Sequence, residues 1–121
     1  MVYKKDLDLQ RKWSRLQNYL GQVIGKRPKD LNSVLFLIGT QELGKGKQHF
    51  TKEEKQDLMH IAVCKVLSLA GYYRLDGVDQ DGWPHWQLVT ALRKFDLIDQ
   101  EKLLKMYILE YFTEEIGVDI G

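Results

Sequence analysis

The stretch Asp30–Gly44, DLNSVLFLIGTQELG, decides the fold class. Its centre, Val34-Leu-Phe-Leu-Ile38, is apolar at every position. A run that short suits either a buried strand or the middle of a buried helix. The ends set the preference. Asp30 offers a side-chain oxygen to the first unpaired amides of a helix, and Gly44 tolerates the left-handed conformation on which helices commonly stop. Their spacing predicts a helix over Leu31–Leu43, buried on all sides, with a short buried strand as the rival.

On the N-terminal side, Leu9, Trp13, Leu16, Leu20 and Val23 recur at helical spacing. They form one apolar stripe on a helix of about five turns, with Arg11, Lys12, Arg15, Gln17 and Asn18 off it. Gly25 and Pro28 end this helix.

On the C-terminal side, Thr51-Lys-Glu-Glu54 is a capping box, in which hydroxyl and carboxylate each take one unpaired backbone amide. The helix it opens is expected to reach Ala70 and stop at Gly71. Leu58, Met59, Ala62, Val63, Val66, Leu67, Leu69 and Ala70 cover about half its circumference, at about 100° per residue.

Further on, Tyr72-Tyr-Arg-Leu75 and His85-Trp-Gln-Leu88 flank the turn-rich segment Asp76-Gly-Val-Asp-Gln-Asp-Gly82, which predicts a small hairpin. The rival places Pro84 in the first turn of a helix reaching Lys94. A final helix from Asp99 to about Glu115 carries Leu103, Leu104, Tyr107, Ile108, Tyr111 and Phe112. The tail Gly117–Gly121 is expected to fray. The fold expectation is therefore all-α: one globular domain over residues 1–121, a small bundle of four to five helices with a short β-hairpin near residues 72–88.

The chain has 121 residues with 44% hydrophobic and 29% charged residues. That composition supports a core and disfavours disorder. The net charge is +1, which argues against a generic nucleic-acid or anionic-membrane binder. The neutrality is a cancellation. Residues 1–30 hold eight basic and three acidic side chains, and residues 76–121 hold four and ten. Association between unlike ends of two molecules is one consequence to expect.

Cys64 is the only cysteine. With no internal disulfide available, a reducing compartment fits. The start, Met1-Val-Tyr-Lys-Lys-Asp, shows no apolar stretch of the signal-peptide kind. The expectation is a soluble cytoplasmic protein without a membrane partner.

Three motifs carry chemistry in outline. Gly39-Thr-Gln-Glu-Leu-Gly44-Lys45 matches half of a phosphate-binding loop. However, Gly46 stands where a metal-holding hydroxyl belongs, and the next helix starts too late, at Thr51. Asp79-Gln-Asp81-Gly82 resembles a calcium loop, but Gly77 and Leu88 occupy the positions that need Asp and Glu.

The third is Glu53, Asp57, His60 and Cys64, which fall within about 60° on one helix face, at about 100° per residue. Such donors suit a divalent metal, with His49 or His85 completing a shell from elsewhere. The ordinary alternative is the wet side of the helix, with Cys64 partly buried.

No catalytic signature is complete. Cys64 and His60 lack a visible orienting group and oxyanion donor. Tyr72, Tyr73, Trp83, His85 and Trp86 gather around an acidic turn, as recognition surfaces do. The leading expectation is a non-enzymatic protein-interaction module, acting on a protein partner or by self-association as a homodimer. The alternative is a metal-binding protein or metal-dependent enzyme using the four-residue cluster. Nucleic-acid binding through the basic N-terminal third, with Lys45 and Lys47, is weaker, because the hairpin tip would repel phosphate.

Overall fold

The computed structural model describes residues 4–44, 49–91 and 97–120. Helix α1 spans Lys4–Ile24, α2 Leu31–Leu43, α3 Lys52–Ser68 and α4 Leu97–Glu110. A π-helical turn, Tyr111–Ile116, continues α4, and strands β1 (Tyr73–Val78) and β2 (Pro84–Leu88) pair antiparallel. The protein is thus mostly helical with a small two-stranded sheet. No helix among the described residues is long and apolar enough to cross a membrane.

The residues group into two compact units. One joins α1 and the segment after it to α4 and the C-terminal tail. The other holds α2, α3 and the hairpin.

In the first unit, α1 packs on α4. Trp13, Leu16 and Leu20 of the sequence stripe are buried, while Val23, near the helix end, is 63% exposed. Lys105 Nζ stands 5.3 Å from the Trp13 ring centroid. The turn after α1 is tied down by polar contacts: buried Gln17 donates to the Pro28 carbonyl at 3.0 Å, and Arg27 donates to Asn18 at 2.8 Å.

The tail departs from expectation. Gly117 takes a left-handed φ of 83°, and the Val118 amide donates to the Phe112 carbonyl at 2.9 Å. Val118 is buried, so residues 117–120 dock instead of fraying. The buried apolar side chain of Val118 is what fixes them.

The second unit resolves the helix-or-strand question. Residues 31–43 are helical, with Val34, Leu35, Ile38, Gly39 and Leu43 buried. Each such aliphatic side chain is worth roughly 1.5–3 kcal/mol when fully buried. Gly44 ends the helix with φ +70°, its amide donating to Thr40.

Gly39 explains itself by contact. A Cβ built there would overlap the Leu58 carbonyl, so α2 and α3 approach backbone to backbone at this point. The phosphate-loop outline therefore lies on a helix end. Phe36 and Phe50 stack edge to face, with centroids 6.2 Å apart.

On α3 the capping box is formed in both directions. The Glu54 amide donates to Thr51 Oγ1 at 3.1 Å, and the Thr51 amide to Glu54 Oε1 at 2.9 Å. The helix ends at Ser68, short of Ala70, because the amides of Leu69 and Ala70 turn to carbonyls three residues back. Ile61 and Cys64 are buried with Leu58, Ala62, Val66 and Leu67, while Met59, Val63 and Leu69 of the expected apolar face are half-buried and Ala70 is exposed. Cys64, expected to be partly buried on an otherwise wet arc, is buried, while Glu53, Asp57 and His60 of that arc are exposed.

Residues 84–88 form a strand, which overturns the helix starting at Pro84 for that span. Residues 92–94, the end of that rival helix, lie outside the described residues, as do Lys45 and Lys47.

Candidate functional site

The hairpin begins from its turn. Asp79 Oδ1 accepts the amides of Asp81 and Trp83, each at 2.9 Å. Oδ2 lies 2.9 Å from His85 Nε2. The Asp79 amide donates to the Trp83 carbonyl, and the Gly82 amide to the Asp79 carbonyl. Gly82 carries φ +86°, the left-handed residue that closes a three-residue hairpin loop. The hydrogen bond to His85, and after it the amides of Trp83 and Asp81, hold the Asp79 carboxyl below its usual range. The acidic turn is thus a device for shaping the loop from one side chain.

Along the strands, Tyr73 faces Leu88, Arg74 faces Gln87 and Leu75 faces Trp86. Asp76 is an extra residue, a bulge, after which Gly77 faces His85 and Val78 faces Pro84. Strand alternation then sorts the side chains. Tyr73, Leu75, Val78, Pro84, Trp86 and Leu88 share one face. Arg74, Gly77, His85 and Gln87 share the other, where Arg74 donates to Gln87 at 2.9 Å.

The apolar face is only partly covered. The hairpin packs on α3. Burial raises the Tyr73 hydroxyl's pKa, and the neighbouring Cys64 adds to the shift. Tyr73 and Trp86 are half-buried. Leu75, Val78, Leu88 and the adjoining Val89 are 48%, 61%, 50% and 47% exposed. Among the described residues the sheet has two strands, so no further strand covers either outer edge. A two-stranded ribbon is marginal alone and leans on what packs against it.

Of the residues singled out by sequence, Tyr72, Tyr73, Trp83 and Trp86 are half-buried and His85 is exposed. All five belong to the hairpin or its flank. Tyr72 anchors the base: its carbonyl accepts from Val89 at 2.9 Å. The Trp86 indole nitrogen is buried without a hydrogen-bond partner. Sequence reasoning passed over Leu75, Val78 and Leu88 as surface residues. The alternation of Tyr73 with Leu75, and of Trp86 with Leu88, was the available signal. The bulge at Asp76 hid Val78, because it shifts the alternation by one residue.

The four-residue α3 cluster is brought together only in part. Glu53, Asp57 and His60 are exposed, and Cys64 is buried. Cys64 Sγ lies 3.5 Å from His60 Nε2. Among the described residues, no three of His, Cys, Asp and Glu stand grouped to hold a metal ion. Burial pushes the Cys64 thiol up to about 11. It is therefore protonated at neutral pH, whereas the thiolate is the nucleophilic form.

In the N-terminal third, Arg11 lies 4.0 Å from Asp8 and Arg27 is engaged with Asn18 and Gln17. A cavity of about 690 Å³ opens between α1 and α4, floored by Leu9, Met106, Leu109 and Ile120. Its rim mixes Asp6, Glu110 and Glu114 with Lys12 and Lys102, and Lys102 is paired to Asp6 at 3.2 Å.

No family model matches the chain, and neither a curated protein nor a solved structure matches it.

Proposed function

We propose that this protein is a non-enzymatic protein-interaction module whose contact surface is the hairpin of β1 and β2, with self-association as one form of it. The observation that supports this reading is the row of half-exposed aliphatic side chains, Leu75, Val78 and Leu88, on a ribbon that among the described residues has no further strand at either edge. Apolar side chains along an open sheet edge are what strand addition uses: backbone hydrogen bonds give affinity, and alternate side chains give specificity. The turn locked by Asp79 favours the same use, since a rigid ribbon loses less freedom on binding than a mobile loop. A reducing cytoplasmic setting suits the protein, its single cysteine being a buried thiol.

The test is the variant Leu75→Thr with Val78→Thr, which keeps strand propensity while removing apolar surface. Light scattering and partner capture are run on both proteins. The wild type is expected to recover a stoichiometric protein partner, a second copy or another chain, and the variant to lose it. Equal recovery by both, or by neither, contradicts the reading.

A further inference from the structure

We infer that the occupant of the β1 edge is a second copy of this chain, paired antiparallel through β1 about a twofold axis at Leu75. This rests on reading the hairpin as the contact surface.

The ladder itself indicates which groups point outward. The Val89 amide donates to Tyr72, so the facing pair Tyr72 and Val89 is a hydrogen-bonded one. Antiparallel pairs alternate between bonded and non-bonded. Arg74 with Gln87 is then bonded, while Tyr73 with Leu88 and Leu75 with Trp86 are not. Beyond the bulge, the Asp79 amide bonds Trp83, so Val78 with Pro84 is again non-bonded. The backbone N–H and C=O of Tyr73, Leu75 and Val78 therefore face away from β2, toward the outer edge of β1.

The two edges are not equivalent. On β2 an outward position is Pro84, which has no N–H to give, and proline on an edge blocks strand addition. The outward positions of β1 hold no proline.

The second copy is favoured by charge. With Leu75 opposite Leu75 of the partner subunit, Arg74 lies opposite the bulge that carries Asp76 of the partner subunit. The twofold repeats that pair of opposite charges. Facing opposite charges stabilise a strand pair and like charges weaken it.

One residue further, Tyr73 meets Val78 of the partner subunit, because the extra bulge residue is counted once on each strand. Outward backbone groups then meet outward backbone groups at Leu75 and again at Tyr73 and Val78. The apolar faces of the two hairpins join into one four-stranded sheet. Such an isologous contact is closed and yields a dimer, not a fibre.

The experiment is sedimentation equilibrium on the full chain and on Arg74→Asp, Asp76→Arg and the double exchange. The wild type is expected to dimerise with concentration. Each single exchange should weaken the dimer at least about tenfold, since two like-charge contacts replace two favourable ones. The double exchange should restore it.

Amide exchange supplies a second readout. Tyr73, Leu75 and Val78 should gain protection as concentration rises, while Arg74 is protected throughout. A wild type monomeric at millimolar concentration, a dimer indifferent to both single exchanges, or a double exchange that does not recover overturns the proposal. If capture of a different protein still depends on Leu75 and Val78, only the self-pairing fails and the hairpin reading stands.

Discussion

The Asp79 carboxylate reaches His85 across the hairpin turn at 2.9 Å while its other oxygen accepts the amides of Asp81 and Trp83. One exposed side chain therefore satisfies three donors and fixes the ribbon's end. Its pKa lies below the ordinary carboxylate value of 3.8. A depressed pKa contributes stability above the unfolded value, and that stability is lost as pH falls through the folded one. The hairpin amides are expected to lose protection, measured against the intrinsic exchange rate at each pH, below about pH 4, before those of α3. Asp79→Ala should produce the same loosening at neutral pH, read as lost protection at Trp83 and Gly82. Unchanged protection in that variant would contradict the turn's assigned role.

Gly39→Ala sets two effects against each other. In a helix interior alanine is favoured over glycine by roughly 0.5–1 kcal/mol. The added methyl meets the Leu58 carbonyl, which is backbone and cannot swing aside. Overpacking a tight contact typically costs about 1–3 kcal/mol, so the steric effect wins. Urea denaturation should show a lower midpoint with an unchanged slope.

Cys64 should be inert in the folded protein. With its thiol at about 11 against an ordinary 9.0, the thiolate is scarce at neutral pH. A disulfide reagent should modify it slowly in the native state and fast in urea. The folded pKa is raised, so this contribution to stability is complete below pH 9 and is lost as pH climbs toward 11. Equal reaction rates in both states would contradict the burial.

Trp86 separates packing from hydrogen bonding. Its indole N–H is buried without a partner, and an orphaned donor costs about 1–3 kcal/mol. Trp86→Phe removes that donor and keeps an aromatic ring, so stability should hold or rise. Trp86→Ala should destabilise, by less than the roughly 3–5 kcal/mol of a fully buried tryptophan, since Trp86 is only half-buried. Thermal unfolding of the pair is the check.

The helices were legible because their signals are local. Thr51 with Glu54 marks one start, and Gly44 marks one stop. The span Leu31–Leu43 follows from cap spacing, and the hairpin from aromatic strands around Asp79–Gly82. What was hidden depends on partners distant in sequence. Cys64, expected to be partly buried, is fully so, and Tyr73 of the hairpin comes near it. The docking of Val118 uses the Phe112 carbonyl, which accepts the amides of both Gly117 and Val118 at the end of a π-helical turn, and no local pattern announces that. The candidate surface was legible in its aromatics, Tyr72, Tyr73, Trp83 and Trp86. It was not legible in Val78, because a bulge at Asp76 changes which side chains share a face.

The central claim is that the hairpin is the surface through which this protein meets its partner. A photo-reactive side chain placed at Val78 tests it most directly, with the same group at Val23, equally exposed on α1, as the control. Illumination of the 121-residue chain in its native extract should give a discrete, higher-mass adduct from position 78 and none from position 23. No adduct from position 78, or the same adduct from both, would contradict the account.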